Sequence, residues 1–596
     1  MYFSAKLAGF WAFVQRVAKL SAPYFQSEEK WKARGLFAAI VALNLASVYM
    51  AVIFNDWYRL FYDGLQNKDQ AVFWTQIVRF SYLAAIAIVI AVYRFYLTQL
   101  LQMYWRKWMT THYLQRWLHG HAFYQMELAR FSGNAGATPD NPDQRISEDV
   151  NSFTAQTVGL TMGLLNAVVT LVSFVGILWG LSGAFSFSFQ GASYTVPGFM
   201  VWMAVLYCLV GSVITHYIGR PQIRLNFEQQ KREADFRHHM MRVREYSEAI
   251  ALDRGQTVEK SHLDTRFVSV LANYLALIRA QKSLIWFTTF FGQAAVIFPF
   301  VVAAPRYFSG AIQLGELMQI NSAFGRVQDS LSWFVDSYSG LAAWRATTDR
   351  LTSFDDAISA ASTHNRALEN TDSMALDTRD LTIALPTGAV LLAGAALHAR
   401  AGDRILLQGP SGSGKSTLFR TLAGIWPFAS GSVARAKDAM FIPQHPYFPN
   451  GPLRDALAYP QPAGNYTPEA MRQALNDALL PDLVSELDKT DAWSQKLSGG
   501  EQQRLAIARV LLKQPAWVFA DEATSALDAA AEKTLYESLL ALVAKTGGGI
   551  VSIAHGPSVA AFHLRRWSLE RQPEGAPARF ELRQTSGSAA VSGHVA

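Results

Sequence analysis

The run Gly409-Pro410-Ser411-Gly412-Ser413-Gly414-Lys415-Ser416 follows the apolar stretch Ile405–Leu407 and precedes a helical pattern opening at Thr417. Glycines at this spacing let successive backbone N–H groups turn toward one anion, and the positive end of the following helix adds to the pull. A lysine at the end of such a loop reaches the β- and γ-phosphates of a nucleotide, and the next hydroxyl suits Mg²⁺. Gly409 to Thr417 therefore read as an ATP-binding loop, with Ser416 as a metal ligand. Ser498, Gly499, Gly500 and Glu501 put a hydroxyl and backbone donors at another helix start, a second phosphate-binding element. The apolar strand Trp517–Ala520 ends in two acids. Asp521 fits the Mg²⁺ shell, and Glu522 is placed to polarise water for in-line attack.

Leu497-Ser498-Gly499-Gly500-Glu501 followed by Gln502-Gln503-Arg504, between the phosphate loop and the acids, resembles the signature of the ABC ATPases. The resemblance implies three further roles. Gln444, after Phe441-Ile442-Pro443, is similar to the glutamine that contacts Mg²⁺ and water and senses the membrane domain. Ser525-Ala526-Leu527-Asp528 resembles the D-loop, and His555 after Ile553-Ala554 resembles the switch histidine that touches the γ-phosphate. Glu522, His555 and Gln444 are thus the expected catalytic set, and Ser416, Gln444 and Asp521 the Mg²⁺ set. In this family each ATP lies between one protomer's phosphate loop and the other's signature. One of each in the chain implies a partner, most simply a second copy, with a heterodimer as the alternative. Relatives often stack an aromatic residue on adenine at the position matched here by Leu385, in Leu381-Thr382-Ile383-Ala384-Leu385-Pro386.

These motifs need an α/β scaffold, and alternating β-prone and helical runs from about Leu381 supply one. At 596 residues the chain has room for more. Apolar residues are 51% and charged residues 17%, against roughly 25% charged in soluble proteins. Between Asn151 and Gly219 there is no Asp, Glu, Lys or Arg, which points to a membrane domain. Apolar stretches at Leu36–Phe54, Ile77–Leu100, Val158–Leu181, Pro197–Ile218, Leu284–Ala304 and Ile312–Leu341 predict six crossings. The last carries Glu316, Arg326, Asp329 and Asp336, so it must face a watery cavity or run out of the bilayer.

Lys6, Arg16, Lys19, Lys30, Lys32 and Arg34 precede the first span, and further basic clusters follow the second and fourth, which places the N-terminus and the ATPase in the cytoplasm. The net charge of +7 sits largely beside the spans, so it signals membrane lipid and not nucleic acid. Met1 to Lys19 read as an amphipathic helix on the inner membrane surface. The long connectors Leu101–Gln156 and Gly219–Ser283 read as helices extended past the bilayer. Cys208, the single cysteine, reads as a small buried residue. The fold class is therefore multidomain: an all-α six-helix membrane domain of the ABC exporter-like type over 1–351, a polar linker over 352–378, a P-loop ABC ATPase over 379–571, and a disordered tail over 572–596.

Tyr104-Trp105-Arg106-Lys107-Trp108-Met109-Thr110 and Leu114-Gln115-Arg116-Trp117-Leu118 resemble the segment after the second span in SbmA/BacA-like transporters. Asn141-Pro142-Asp143-Gln144-Arg145-Ile146 with Glu148-Asp149 is similar to a stretch of the peroxisomal fatty-acyl transporters. The likeness is to ATPase-bearing YddA-type members of the bacterial inner membrane. It implies ATP-driven uptake of bulky hydrophilic cargo such as antimicrobial or modified peptides or corrinoids. Export of peptides, lipids or drugs is the alternative, and an ATP-hydrolysing sensor that moves nothing is a third reading. Cargo contacts are expected on the sixth helix, at Arg326, Asp329, Trp333, Asp336 and Tyr338, unless Arg326 and Asp329 merely pair with each other.

Overall fold

The computed structural model describes residues 2–129, 131, 141–182, 184–189, 192–363, 368–373, 375–436, 438–554 and 556–586. His555 lies outside them. The chain divides into two compact units: 1–114 with 141–352, and 115–140 with 353–596.

The first unit is helical. α1 (Tyr2–Gln26), α2 (Lys30–Gln66) and α3 (Gln70–Leu118) lead to α4 (Ala122–Ala129), which belongs to the second unit. α5 (Val150–Ser182) follows, then a hairpin of β1 (Ala184–Phe189) and β2 (Ala192–Pro197) that the sequence did not announce. α6 (Phe199–Glu245), the short α7 (Ser247–Leu252) and α8 (Gln256–Phe308) form the next hairpin, with α9 (Leu314–Asp336) and α10 (Tyr338–Thr363) after it. Among the described residues five helices are long and apolar enough to cross a membrane, those containing the first five predicted spans. The predicted sixth, Ile312–Leu341, is α9 up to a break at Ser337, and its charged residues together with Gln319, Asn321, Gln328 and several serines leave it less apolar than those five.

Polar side chains fix these helices where water cannot. Asn44 of α2 donates to the Met162 carbonyl at 3.0 Å, and Asn55 to the Gln319 carbonyl at 3.1 Å. Arg306 donates to the Leu181 and Ser182 carbonyls at 2.9 and 2.6 Å, meeting the orphan acceptors at the end of α5. The first amides of α9 are met from α2: Gly315 N–H by Asp63 at 2.8 Å and Leu314 N–H by Gln66 at 2.6 Å. α1 is tied down on one side: Tyr24 stacks on Trp105 at 5.7 Å, Phe13 meets Trp344 edge-on at 4.9 Å, and Arg16 pairs with Asp349 at 2.9 Å. Phe10 and Trp11 on its other side stay exposed, as an interfacial helix requires.

The fatty-acyl-like stretch acquires a physical role. Asp149, 4% exposed, accepts from Arg350 through both carboxylate oxygens at 2.9 and 2.6 Å and from Arg145 at 2.5 Å. Two guanidinium groups on one buried carboxylate join the start of α5 to α10.

In the second unit the main sheet runs β12-β11-β6-β10-β9-β8, with β8 (Ala439–Ile442), β9 (Trp517–Asp521), β10 (Gly549–Ile553), β6 (Arg404–Gln408) and β11 (Arg565–Arg571) parallel. β12 (Phe580–Ser586) closes the edge antiparallel to β11. A second sheet has the order β3-β7-β4-β5: β3 (Leu368–Ser373), β7 (Ala429–Ala436), β4 (Leu376–Ala384) and β5 (Val390–Ala395). Helices α11 (Lys415–Leu422), α12 (Leu453–Ala458), α13 (Pro468–Asp477), α14 (Gly499–Lys513) and α15 (Ala529–Thr546) cover the strands.

The segments on either side of the ATPase carry more regular structure than their composition suggests. The polar linker over 352–378 is largely ordered: α10 continues to Thr363, with Leu351, Phe354, Ile358 and Ala361 buried at helical spacing, and β3 and β4 already occupy its end. The tail over 572–596 is not disordered from its start. Phe580 and Leu582 of β12 alternate with charged neighbours and pack on the core, a period of two hidden by the Gly/Ser/Ala-rich remainder. Residues 587–596 are outside the described set.

Candidate active site

β6 ends at Gln408 and the chain loops back into α11 through the phosphate-loop residues. Gly412 and Gly414 take φ of 76° and 91°, a region that side-chain-bearing residues avoid. A Cβ at Gly414 would also stand 2.9 Å from Leu391 Cδ1 of β5, so the β4–β5 hairpin lies against this loop. Lys415 is 8% exposed, and its ammonium donates to the Gly409 and Pro410 carbonyls at 2.9 and 3.2 Å. Ser413 Oγ is buried with no hydrogen-bond partner among the described residues. A glycine-bent loop, a buried cation hydrogen-bonded to its carbonyls and a hydroxyl free to take a partner fit a nucleotide's phosphates.

β9 delivers Asp521 and Glu522 beside this loop. Burial, and then the neighbouring charge of Glu522, push the Asp521 carboxyl above its ordinary range, while a hydrogen bond from Ser416 and the charges of Arg420 and Lys415 oppose that rise. A carboxyl made costly to ionise, in contact with a hydroxyl, is a hard-oxygen pair that suits Mg²⁺. Gln444 Nε2 donates to Glu522 Oε2 at 2.9 Å, so β8 and β9 bring these two predicted residues together. Glu522 itself has φ 49°, unusual for a non-glycine residue. Its N–H donates to the Ile553 carbonyl at 3.0 Å, and its carbonyl accepts from Gln503 at 3.3 Å.

Ser498 caps α14. Its hydroxyl donates to Glu501 Oε2 at 2.7 Å and its N–H to the same oxygen at 2.9 Å, while Glu501 N–H returns a bond to Ser498 Oγ at 3.4 Å. This capping box holds the Glu501 carboxyl below its ordinary range through the hydroxyl and the backbone bond. In the single chain Glu501 is therefore engaged in shaping the helix start, with Gly499 and Gly500 exposed or half-exposed beside it. Asp528 caps α15 through the Ala530 and Ala531 N–H groups at 3.0 and 2.8 Å.

Two residues to which the motif reading gave no role of their own make positioning contacts here. Gln503, buried on α14, donates to Ser525 at 3.0 Å as well as to the Glu522 carbonyl, and accepts from Ala526 N–H at 2.9 Å. Arg509, one face further along, donates to the Ala456 and Tyr447 carbonyls at 2.7 and 2.8 Å and lies over the Phe448 ring. Burial pushes its guanidinium down to about 10, still charged at neutral pH. A buried glutamine and arginine on a helix otherwise buried through Leu, Ile, Ala and Val are the signal that could have found them.

The family described as ABC transporter transmembrane region 2 matches residues 20–308, and that described as ABC transporter matches residues 392–525. The chain is 31% identical to the Escherichia coli inner membrane ABC transporter ATP-binding protein YddA, over 88% of this chain and 92% of that one. It is 26% identical to the human lysosomal cobalamin transporter ABCD4, over 94% and 96%. A bacterial Atm1-family ABC exporter with ATP bound shares its fold, with a TM-score of 0.68 at 17% identity over 94% of this chain and 95% of that one. With both halves matched and 92% of an inner-membrane relative covered, the chain belongs to the ABC transporter family, as a half-transporter that fuses one membrane domain to one ATP-binding ATPase domain.

Proposed function

We propose that the protein works as a homodimer in a bacterial inner membrane, with its N-terminus and ATPase in the cytoplasm, and uses ATP to take up bulky hydrophilic compounds of the modified-peptide or corrinoid class. The observation that carries this reading is the two-faced α9. Ile320, Phe324 and Val327 are buried in their own helical unit, whereas Arg326, Asp329 and Asp336 are exposed on the other side. Among the described residues these three side chains make no hydrogen bond or ion pair, so the simple Arg326–Asp329 pair does not account for them. Each charge facing lipid would cost about 2.5–3.5 kcal/mol on insertion scales. A water-filled path lined by α9 from two copies removes that cost, and both signs of charge suit a polar cargo better than an acyl tail. The lysosomal cobalamin transporter among the relatives supports the corrinoid class, and the inner-membrane relative supports the location.

In the ATP cycle Lys415 and the loop amides bind the phosphates, and Ser498 with Gly499 and Gly500 closes over them from the second copy. Bound Mg²⁺ would supply charge neutralisation at the β- and γ-phosphates, held by Ser416, Asp521 and Gln444. Glu522 accepts the proton of the attacking water, and Gln444 fixes that carboxylate. His555 is assigned the γ-phosphate contact. The test compares cells making the wild type or Glu522→Gln for killing by peptide antibiotics that act in the cytosol, and for uptake of labelled cobalamin. Sensitivity or uptake gained only with the wild type supports the proposal. Resistance gained only with the wild type replaces it with export, and hydrolysis with no effect on either cargo replaces it with a sensing role.

A further inference from the structure

α6 and α8 run on past their apolar parts as a two-helix hairpin with α7 at its tip, and a series of cross-links holds the pair together. Asn273 donates to Gln229 at 2.9 Å, Arg232 to Ser269 Oγ at 2.7 Å, and Phe236 meets Phe267 at 5.4 Å. The last link before the tip differs in chemistry. His239 of α6 lies 2.8 Å from Glu259 Oε2 of α8, and the His262 ring stands 5.9 Å from that of His239. The metal-ligating atoms of all three lie within 4.8 Å of one another. Glu259 and His262 are three apart on one helix face, so they point to the same spot.

We propose that His239, Glu259 and His262 form a Zn²⁺ site that staples α6 to α8 just above α7. Two imidazoles and a carboxylate are a ligand set that Zn²⁺ takes, with water completing four-coordination. Tetrahedral ligands at Zn–N and Zn–O distances near 2.0–2.2 Å are separated by about 3.4 Å. The His239–Glu259 contact therefore opens slightly and His262 closes by no more than about 1.4 Å, movements within reach of side-chain rotation because His262 is exposed. The site lies about 20 residues, or roughly 30 Å of helix, beyond Ile218, far from the exposed charges of α9. Arg242 and Arg266 line the polar cavity of about 280 Å³ beside His239 and oppose a cation there, while Asp235 in the same wall favours one. A simple His–Glu hydrogen bond needs no second histidine; the metal needs all three groups.

The test uses the full chain in detergent micelles or nanodiscs, stripped with chelator and titrated with Co²⁺, then with Zn²⁺ in competition. One tetrahedral Co²⁺ spectrum per chain, displaced by Zn²⁺, is expected. Loss of one outer-shell partner already weakens metal sites by about 10–100-fold, so His262→Ala, at an exposed position, should weaken binding by at least roughly tenfold. Zn²⁺ should also slow tryptic cleavage at Arg244 and Arg254, which lie between the ligands, in the wild type and not in His262→Ala. Co²⁺ binding in wild type equal to that of His239→Ala/His262→Ala, or a spectrum unchanged in His262→Ala, overturns the site. If His239→Ala disrupts folding, Glu259→Gln gives the same comparison.

Discussion

Glu522 and Asp329 are carboxylates central to their own units, and the two are held in opposite ways. Glu522 sits on a backbone bent to positive φ, with its carboxylate engaged by Gln444 and its main chain fastened by Gln503 and Ile553. Asp329 rides a regular helix, exposed on the polar face of α9, with no hydrogen bond or ion pair among the described residues. The difference fits the roles proposed for the two. Water attacking a phosphate needs its base fixed within a fraction of an ångström, whereas a path for bulky cargo needs polar groups free to meet more than one shape. The ATPase stores its function in atom positions, and the membrane unit in which face a helix turns where.

The sharpest test removes the fixed charge. Glu522→Gln keeps the shape and the Gln444 contact but cannot take a proton, and should cut hydrolysis by about 10²–10⁴-fold with ATP affinity intact. Steady-state hydrolysis and nucleotide binding on the purified protein would decide it. Retained turnover would move the base elsewhere and dissolve the contrast.

The contrast could also break from the other side, because Asp149 is a membrane-unit carboxylate held as tightly as any in the ATPase. Removing one member of a buried charge cluster costs about 3–5 kcal/mol, since the remaining charges lose their partner. Asp149→Ala takes the shared carboxylate away from Arg145 and Arg350, so thermal unfolding should show a marked loss of stability. Nucleotide affinity, set in the other unit, should stay near wild type. A neutral outcome would mean that water compensates both arginines.

Legibility in the sequence followed the same division. The ATP loop, the signature and the paired acids are contiguous, so their chemistry could be read from short strings, and five spans announced themselves by length and apolarity. The sixth could be placed only ambiguously, because a helix with one polar face looks neither like lipid nor like cytosol. The helix and strands within the linker and the strand in the tail were hidden for a related reason: a few apolar residues, the buried Phe354 and Ile358 and the partly buried Phe580 and Leu582, set the structure while polar neighbours set the composition. The Asp149 cluster joins residues 201 apart, and no local pattern encodes such a meeting.

Gln503 tests whether fixing the base matters beyond its charge. Its amide links the signature helix to the Glu522 carbonyl and to Ser525 and Ala526. A buried hydrogen-bonded group of this kind contributes about 0.5–1.5 kcal/mol per bond. Gln503→Ala should therefore lower kcat by roughly tenfold and leave KM for ATP nearly unchanged. A fall in ATP affinity instead would place Gln503 in binding and not in positioning.

The smallest effect is expected at Leu385, the position matched in the sequence reading to an adenine-stacking aromatic residue. Leu385 closes the β4–β5 turn, its N–H donating to the Ala389 carbonyl at 2.8 Å, and its side chain packs partly on the core. The same hairpin presses Leu391 against Gly414, so the turn stands near where a base attached to the bound phosphates would extend. Stacking contributes about 0.5–1.5 kcal/mol, and Leu385→Tyr should tighten ATP binding by about two- to tenfold without altering kcat. Fluorescent-nucleotide titration would resolve this. An unchanged affinity would mean that residue 385 serves the core alone and that the base is held by apolar contact elsewhere. A tightened one would place residue 385 beside the base and extend the ATPase's reliance on fixed atoms to that position.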